Sequence, residues 1–256
     1  MSSAARVAIP ILCPAQLPII AATTTYPGLT KPIADSASGE PNIYHPNCKR
    51  NFARVVPTDE LQGAAAAQFA RQLGVHRVYV LNDGGVHGVG IAGVFAATAD
   101  RVGLEVVGAE GMDPRATDYR VLAAKVRQAN PDLVYYGGLE ANNAPKLWQD
   151  LRAALGTNVV MMGADGINDD AFVNATGSAA EGTYGTFPGV SAAKLTGKGA
   201  EWYLRYKKAF NEEPMPFVAY GYEAMSVALD AIAASAKRTA PRYATRSSVR
   251  ETTLEC

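Results

Sequence analysis

Charge of one sign is the clearest absence in this sequence. Lys and Arg total 24 and Asp and Glu 24, so the formal net charge is zero. A chain without a basic excess has no broad field to draw nucleic acid or an anionic membrane, and a small neutral or zwitterionic partner suits it better. Cysteine is also scarce. Cys13, Cys48 and Cys256 are widely spaced, without a CxxC pair or Cys/His ligand spacing, which argues against structural zinc and leaves redox compartment and pairing open. No run approaches the ~20 apolar residues of a membrane helix. The beginning carries Arg6 and an apolar patch, but Pro10, Pro14 and Pro18 interrupt it and no small-residue cleavage site follows, so no signal peptide is read there. A GxSxG elbow is missing as well. The three histidines, His45, His76 and His87, have no Ser or Cys companion at a strand tip, which leaves nucleophilic catalysis without a candidate.

What is present is a regular alternation of helix and strand from residue 58 to about 187. The spacing predicts a helix over 59–73, with Asp59 as cap, Gln62 three residues on, apolar Leu61, Ala65, Phe69 and Leu73, and Gly74 as the stop. Arg77–Leu81 reads as a strand, then a helix carries Ile91, Val94, Phe95 and Val102, and Leu104–Val107 is the next strand. The cycle repeats through a helix at Thr117–Gln128, the strand Asp132–Tyr136, a helix with Leu147, Trp148, Leu151 and Leu155 facing inward, and the strand Val159–Met162. Near-continuous apolar strands separated by single helices indicate a parallel sheet covered on both faces, so the fold class is α/β. Ligands in such sheets bind outside the carboxyl ends of the strands. Residues 1–57 offer one clear strand near Leu17–Ala21, and residues from 188 onward two helices near Gly199–Asn211 and Val218–Ala236. Arg238, Arg242, Arg246 and Arg250 then recur at every fourth position with almost no apolar partner, the pattern of a solvated tail rather than a nucleic-acid arm.

Three features bear on chemistry. Thr23-Thr24-Thr25-Tyr26-Pro27-Gly28 follows the strand near Ile19-Ile20; its hydroxyls could grip an anion, and the same residues also suit a plain turn. Gly88-Val89-Gly90-Ile91-Ala92-Gly93 satisfies GxGxxG and points to a nicotinamide-linked enzyme. Residues 82–87 stand between the strand end and the first glycine, however, and Glu105 lies inside the next strand rather than at its tip, so the phosphate turn lacks its context. Asp165 follows Met161-Met162-Gly163 at a strand end, where a carboxylate could meet an ammonium or could equally cap a helix. His87 is placed in the loop after a strand, beside Gly88.

Leu17–Ile20 through Thr25–Thr30, then Phe52-Ala53-Arg54, Asp83 through Gly88, Asp132–Gly138, Met162–Gly166, Ala180-Glu181-Gly182 and the helix beginning Tyr220-Gly221-Tyr222-Glu223-Ala224 form, in order and spacing, a series over residues 2 to about 236. That series resembles the periplasmic binding proteins of type I fold, in the leucine/isoleucine/valine-binding group that serves ABC transporters. The resemblance implies a two-lobed α/β fold of parallel sheets flanked by helices, with a complete lobe at 58–187, a partial first lobe from 1–57 plus 188–236, and a divergent tail at 237–256; the family's leader and the opening elements of its first lobe are expected to be lacking. It implies a non-catalytic protein, without cofactor or metal, that takes a branched-chain or related amino acid between two hinged lobes and then docks on a membrane permease. A monomer in the periplasm or another extracytoplasmic space is expected, with no nucleic-acid partner. By the same resemblance Thr23 would bond the ligand carboxylate through its backbone, Thr25 through hydroxyl and amide, and Ser2 would assist, while Asp165 would meet the ammonium. His87 stands where the family often has Tyr, and Leu139 where an aromatic is common. The alternatives are a sensor for another small solute such as an amide or urea-like molecule, a lobe kept for protein contact, and the nicotinamide-linked enzyme.

Overall fold

The computed structural model describes residues 2–33 and 37–235; the arginine-spaced tail and Cys256 lie outside the described residues. The chain divides into two compact units, Met1–Thr58 with Gly189–Cys256, and Asp59–Pro188.

In the first unit, helix α1 (Ser2–Leu12) buries Ser2, Ala5 and Ile9, and Pro10 sits inside it. Proline is tolerated there because the hydrogen bond it forgoes falls in the last turn of a helix held by its buried face. The sequence alone assigns no element to these residues, so α1 is an addition from the structure. Strands β1 (Ile19–Ala21) and β2 (Phe52–Arg54) pair in parallel, Ile19 against Phe52. Cys13, one residue beyond α1, is bonded to Cys48. Glu40, buried, accepts the hydroxyls of Tyr26, at 2.8 Å, and Tyr44. Arg54 Nη1 donates to the Tyr26 carbonyl at 2.9 Å, so the segment after β1 is held from both sides.

The second unit begins with α2 (Asp59–Gln72), followed by β3 (Arg77–Asn82), α3 (Val86–Arg101), β4 (Glu105–Gly111), α4 (Arg120–Gln128), β5 (Leu133–Gly137), α5 (Ala144–Leu155), β6 (Val160–Gly163), α6 (Asp170–Thr176) and β7 (Thr183–Gly185). The five strands form one sheet in the order β4-β3-β5-β6-β7, every pair parallel. Alternation explains why the central strands β3, β5 and β6 are apolar along their buried stretches. Val78, Val80, Leu133, Tyr135 and Met162 face α2 and α3, while Tyr79, Leu81, Val134, Tyr136 and Met161 face α4, α5 and α6. On one side Phe95 stacks on Tyr135 with ring centres 3.8 Å apart, and on the other Trp148 meets Tyr136 and Phe172 edge-on.

Helix α2 corrects its expected apolar side. Gly63, Ala66, Ala67 and Ala70 are buried, whereas Leu61 is 68% exposed and Phe69 and Leu73 are 37% exposed. Small residues let α2 approach α3 closely: a Cβ on Gly63 would come within 3.1 Å of the Ile91 carbonyl. The chain returns to the first unit with α7 (Gly197–Phe210) and α8 (Val218–Ser235), and α8 packs against β1. Among the described residues no helix is long and apolar enough to cross a membrane.

Gly88, the first glycine of the GxGxxG pattern, lies within α3 and not in a phosphate turn. A Cβ there would stand 2.1 Å from Asp83 Oδ1 and 2.6 Å from the Gly137 carbonyl, so close packing of α3 on β5 accounts for it. Gly88→Ala is expected to destabilise the protein by about 1–3 kcal/mol through overpacking against rigid backbone. A lowered urea midpoint at unchanged slope checks this; an unchanged midpoint would contradict it.

Candidate functional site

Both groups of predicted ligand residues sit at strand tips, each in its own unit. In the first, the chain leaves β1 at Ala21 and runs through Thr23, half-buried, to Thr24 and Thr25, both buried, before a 3-10 turn at Pro27–Leu29. Ser2, the first residue of α1, is buried, and its Oγ accepts from the Tyr26 amide at 3.4 Å. Ser2 is thereby brought against the end of the threonine run. The arrangement gathers hydroxyls and backbone amides at the carboxyl end of a parallel strand, which is chemistry suited to a carboxylate.

In the second unit, Asp165 follows β6 and opens a 3-10 turn, Asp165–Ile167. Its carboxylate does not serve as a cap. The cap of α6 is Asp169, whose Oδ1 accepts from the Phe172 amide at 2.8 Å. Asp165 Oδ1 instead lies 3.4 Å from His87 Nε2, and His87 Nδ1 lies 3.2 Å from Asp59 Oδ1. The three side chains are 8%, 7% and 0% exposed, for Asp165, His87 and Asp59 in turn. Leu139 joins them from the β5–α5 connection: a Cβ on Gly166 would meet the Gly138 carbonyl at 2.2 Å and Leu139 Cδ2 at 2.9 Å, so glycine is needed for this close approach. Leu139, at the tip of β5, thus lies against the turn that carries Asp165, and His87 reaches Asp165 from the first turn of α3.

Two expectations change here. His87 is not in a loop: Gly85 in extended geometry starts α3 at Val86, and the ring is buried in the first turn. Asp59 is not a cap: it is the first residue of α2, fully buried, with its carboxylate turned to His87. Its partners lie far along the chain, and an Asp before a helix already satisfied a capping pattern, so nothing local marked it. Asp83, also at a strand tip, is consumed structurally, accepting from the amides of Gly85 and Leu139 and from Asn142 Nδ2.

The electrostatics follow from burial and pairing. Burial alone would lower the His87 pKa, but the hydrogen bond to Asp59 and the charges of Asp165 and Asp59 outweigh it and raise the value to about 9. Asp165 is shifted upward, chiefly by burial and further by Asp59, with the His87 charge opposing. Gln62, whose Nε2 donates to Thr186 Oγ1 at 3.0 Å, also bonds toward Asp165. Cys13, His45 and Cys48 offer three ligand atoms within 4.8 Å of one another, but the two sulfurs are bonded to each other and provide no thiolate for a metal. A groove of about 810 Å³ between α7 and α8, lined by Lys198, Arg205, Glu223 and Asp230 among others, contains none of the predicted residues.

Parallel sheets flanked by helices, in two compact units, make this an α/β chain with one sheet in each unit. The sequence matches the family described as periplasmic binding protein over residues 1–255, and the chain belongs to that family, in its type I, leucine/isoleucine/valine-binding branch. It is 28% identical over 176 residues to the leucine-, isoleucine-, valine-, threonine- and alanine-binding protein of Pseudomonas aeruginosa, covering 68% of this chain and 46% of that one. The chain thus spans about half the length of the curated relatives it matches. A leucine binding protein LivK from Thermotoga maritima superposes with a TM-score of 0.81 at 23% identity, over 96% of this chain and 66% of that chain. A solute binding protein of an ABC transporter from Rhodopseudomonas palustris, solved with 4-hydroxybenzoate, gives a TM-score of 0.76 at 15% identity, over 98% and 65%. At these identities the likeness to the solved structures is one of fold.

Because the raised His87 value belongs to the folded state, its stabilisation is fully present below the ordinary value of 6.5 and is lost as pH rises through about 9. The stability difference between wild type and His87→Gln should therefore shrink over that window by on the order of 3 kcal/mol. Urea unfolding at several pH values reads this directly, and a difference independent of pH would contradict it.

Proposed function

We propose that the chain is the solute-binding component of an ABC transporter, non-catalytic, and that it takes a branched-chain or related aliphatic amino acid. The observation that carries this reading is Asp165, a buried acid at the carboxyl end of β6 that no helix cap consumes. A carboxylate so placed is complementary to an ammonium through a charge-assisted bond. Ser2, Thr23 and Thr25 are the matching donors for the ligand's carboxylate, Thr25 by hydroxyl and amide and Thr23 by its backbone. The substrates in the name of the Pseudomonas aeruginosa relative support an aliphatic amino acid, and Leu139 beside Asp165 offers an aliphatic wall to such a side chain. The Cys13–Cys48 disulfide supports an oxidising, extracytoplasmic location. The partner is then a membrane permease that receives the loaded protein, a monomer.

A second reading, another small solute such as an amide or urea-like molecule, is favoured by His87 and Leu139 standing where the family's usual aromatics are expected. Calorimetry separates the two. Heat with leucine, isoleucine or valine is expected, and Asp165→Asn should weaken binding by about 1–3 kcal/mol through loss of a hydrogen bond to a charged group. Unchanged affinity removes Asp165 from the site; no heat with any aliphatic amino acid overturns the amino-acid reading.

A further inference from the structure

An imidazole flanked by two carboxylates has one protonation state that suits it. The neutral ring carries a single N–H and would turn a lone pair toward one of the acids, whereas the imidazolium donates from both nitrogens. His87 has Asp59 Oδ1 at 3.2 Å from one nitrogen and Asp165 Oδ1 at 3.4 Å from the other, with all three side chains under one-tenth exposed. Among the described residues no lysine or arginine pairs with either acid. The nearby Tyr135 phenol stays neutral, since burial and then the Asp165 and Asp59 charges oppose its ionisation. Among these three side chains two carboxylates stand against one imidazolium, and Gln62, which also bonds toward Asp165, is neutral.

Both carboxylates are buried, and a buried carboxylate that shares its cation with another is costly to keep ionised. A ligand cation beside Asp165 would offset that cost. His87 Nε2 stands beside only one oxygen of Asp165, and a carboxylate has acceptor capacity on both. Asp59 differs in kind: fully enclosed at the first residue of α2, it faces the far nitrogen of the ring and fixes both the charge and the orientation of the imidazole.

We propose that Asp59, acting through His87, positions Asp165 for a ligand's ammonium and makes the site selective for ligands with a single cationic group. Aliphatic amino acids meet that requirement. An aromatic acid such as 4-hydroxybenzoate does not, because it brings a further negative charge to two carboxylates that share one imidazolium. Asp59 and His87 are then positioning residues for Asp165, and their role rests on the ligand reading of Asp165 given above.

Nitrogen-15 spectra of the whole chain labelled at histidine test the arrangement without any ligand, His87→Gln assigning the resonances. Both His87 nitrogens are expected in the protonated range at pH 7, and added leucine should shift Nε2 while 4-hydroxybenzoate leaves it in place. Asp59→Asn should move His87 toward the neutral ring at pH 7 and weaken leucine binding about tenfold. A neutral His87 in the folded wild type overturns the proposal even if leucine binds, and so does unchanged leucine affinity in Asp59→Asn. Should that variant not fold, the wild-type spectrum and its response to leucine decide alone, an unresponsive Nε2 with leucine bound being a refutation. Absence of binding by every amino acid overturns the ligand reading of Asp165 and this proposal with it.

Discussion

A carboxylate enclosed in a protein must be met by a cation or by hydrogen-bond donors, and the second unit is arranged around that constraint. Asp59, His87 and Asp165 come from α2, α3 and the turn after β6, three segments far apart in sequence. Their meeting requires α3 to lie close on β5, which Gly88 and Gly137 permit, and requires the turn after β6 to lie close to the β5–α5 connection, which Gly166 permits. The sheet's two apolar faces supply the driving force for that packing. The polar cluster specifies its register, since a small displacement of any segment would leave an acid enclosed without its cation.

The first unit encloses its acid by different means. Ser2 Oγ accepts from the Tyr26 amide at the end of the threonine run, and the buried Glu40 is occupied by the hydroxyls of Tyr26 and Tyr44. Burial, then the hydrogen bond to Glu40, raises the pKa of both phenols, so they remain protonated donors over the physiological range. The segment following β1 is thereby fixed by hydrogen bonds to Glu40 and Arg54.

Much of this architecture was legible in the residues, and the reasons for success and failure differ. Strands β3, β5 and β6 were legible because a strand buried on both faces is apolar at every position, as in Val78–Leu81 and Leu133–Tyr136. Helix α2 was legible as a helix but not in its orientation, because close approach to α3 selected its alanines over its leucines. The three-residue strands β2 and β7 carry too few positions for a periodicity to register. The link between Cys13 and Cys48 and the link between Asp59 and His87 are long-range pairings that no local pattern encodes. Asp165 and the threonine run were legible as strand-tip residues, yet only the coordinates distinguish Asp165 from its neighbour Asp169, which takes the capping role.

The account's central claim is that the Asp165 carboxylate meets a ligand cation. The most direct measurement is the carbon-13 titration of the Asp165 carboxyl carbon with and without leucine. An ammonium in contact favours the ionised acid, so its elevated titration midpoint should fall when leucine is bound. A midpoint unmoved by saturating leucine would contradict the account.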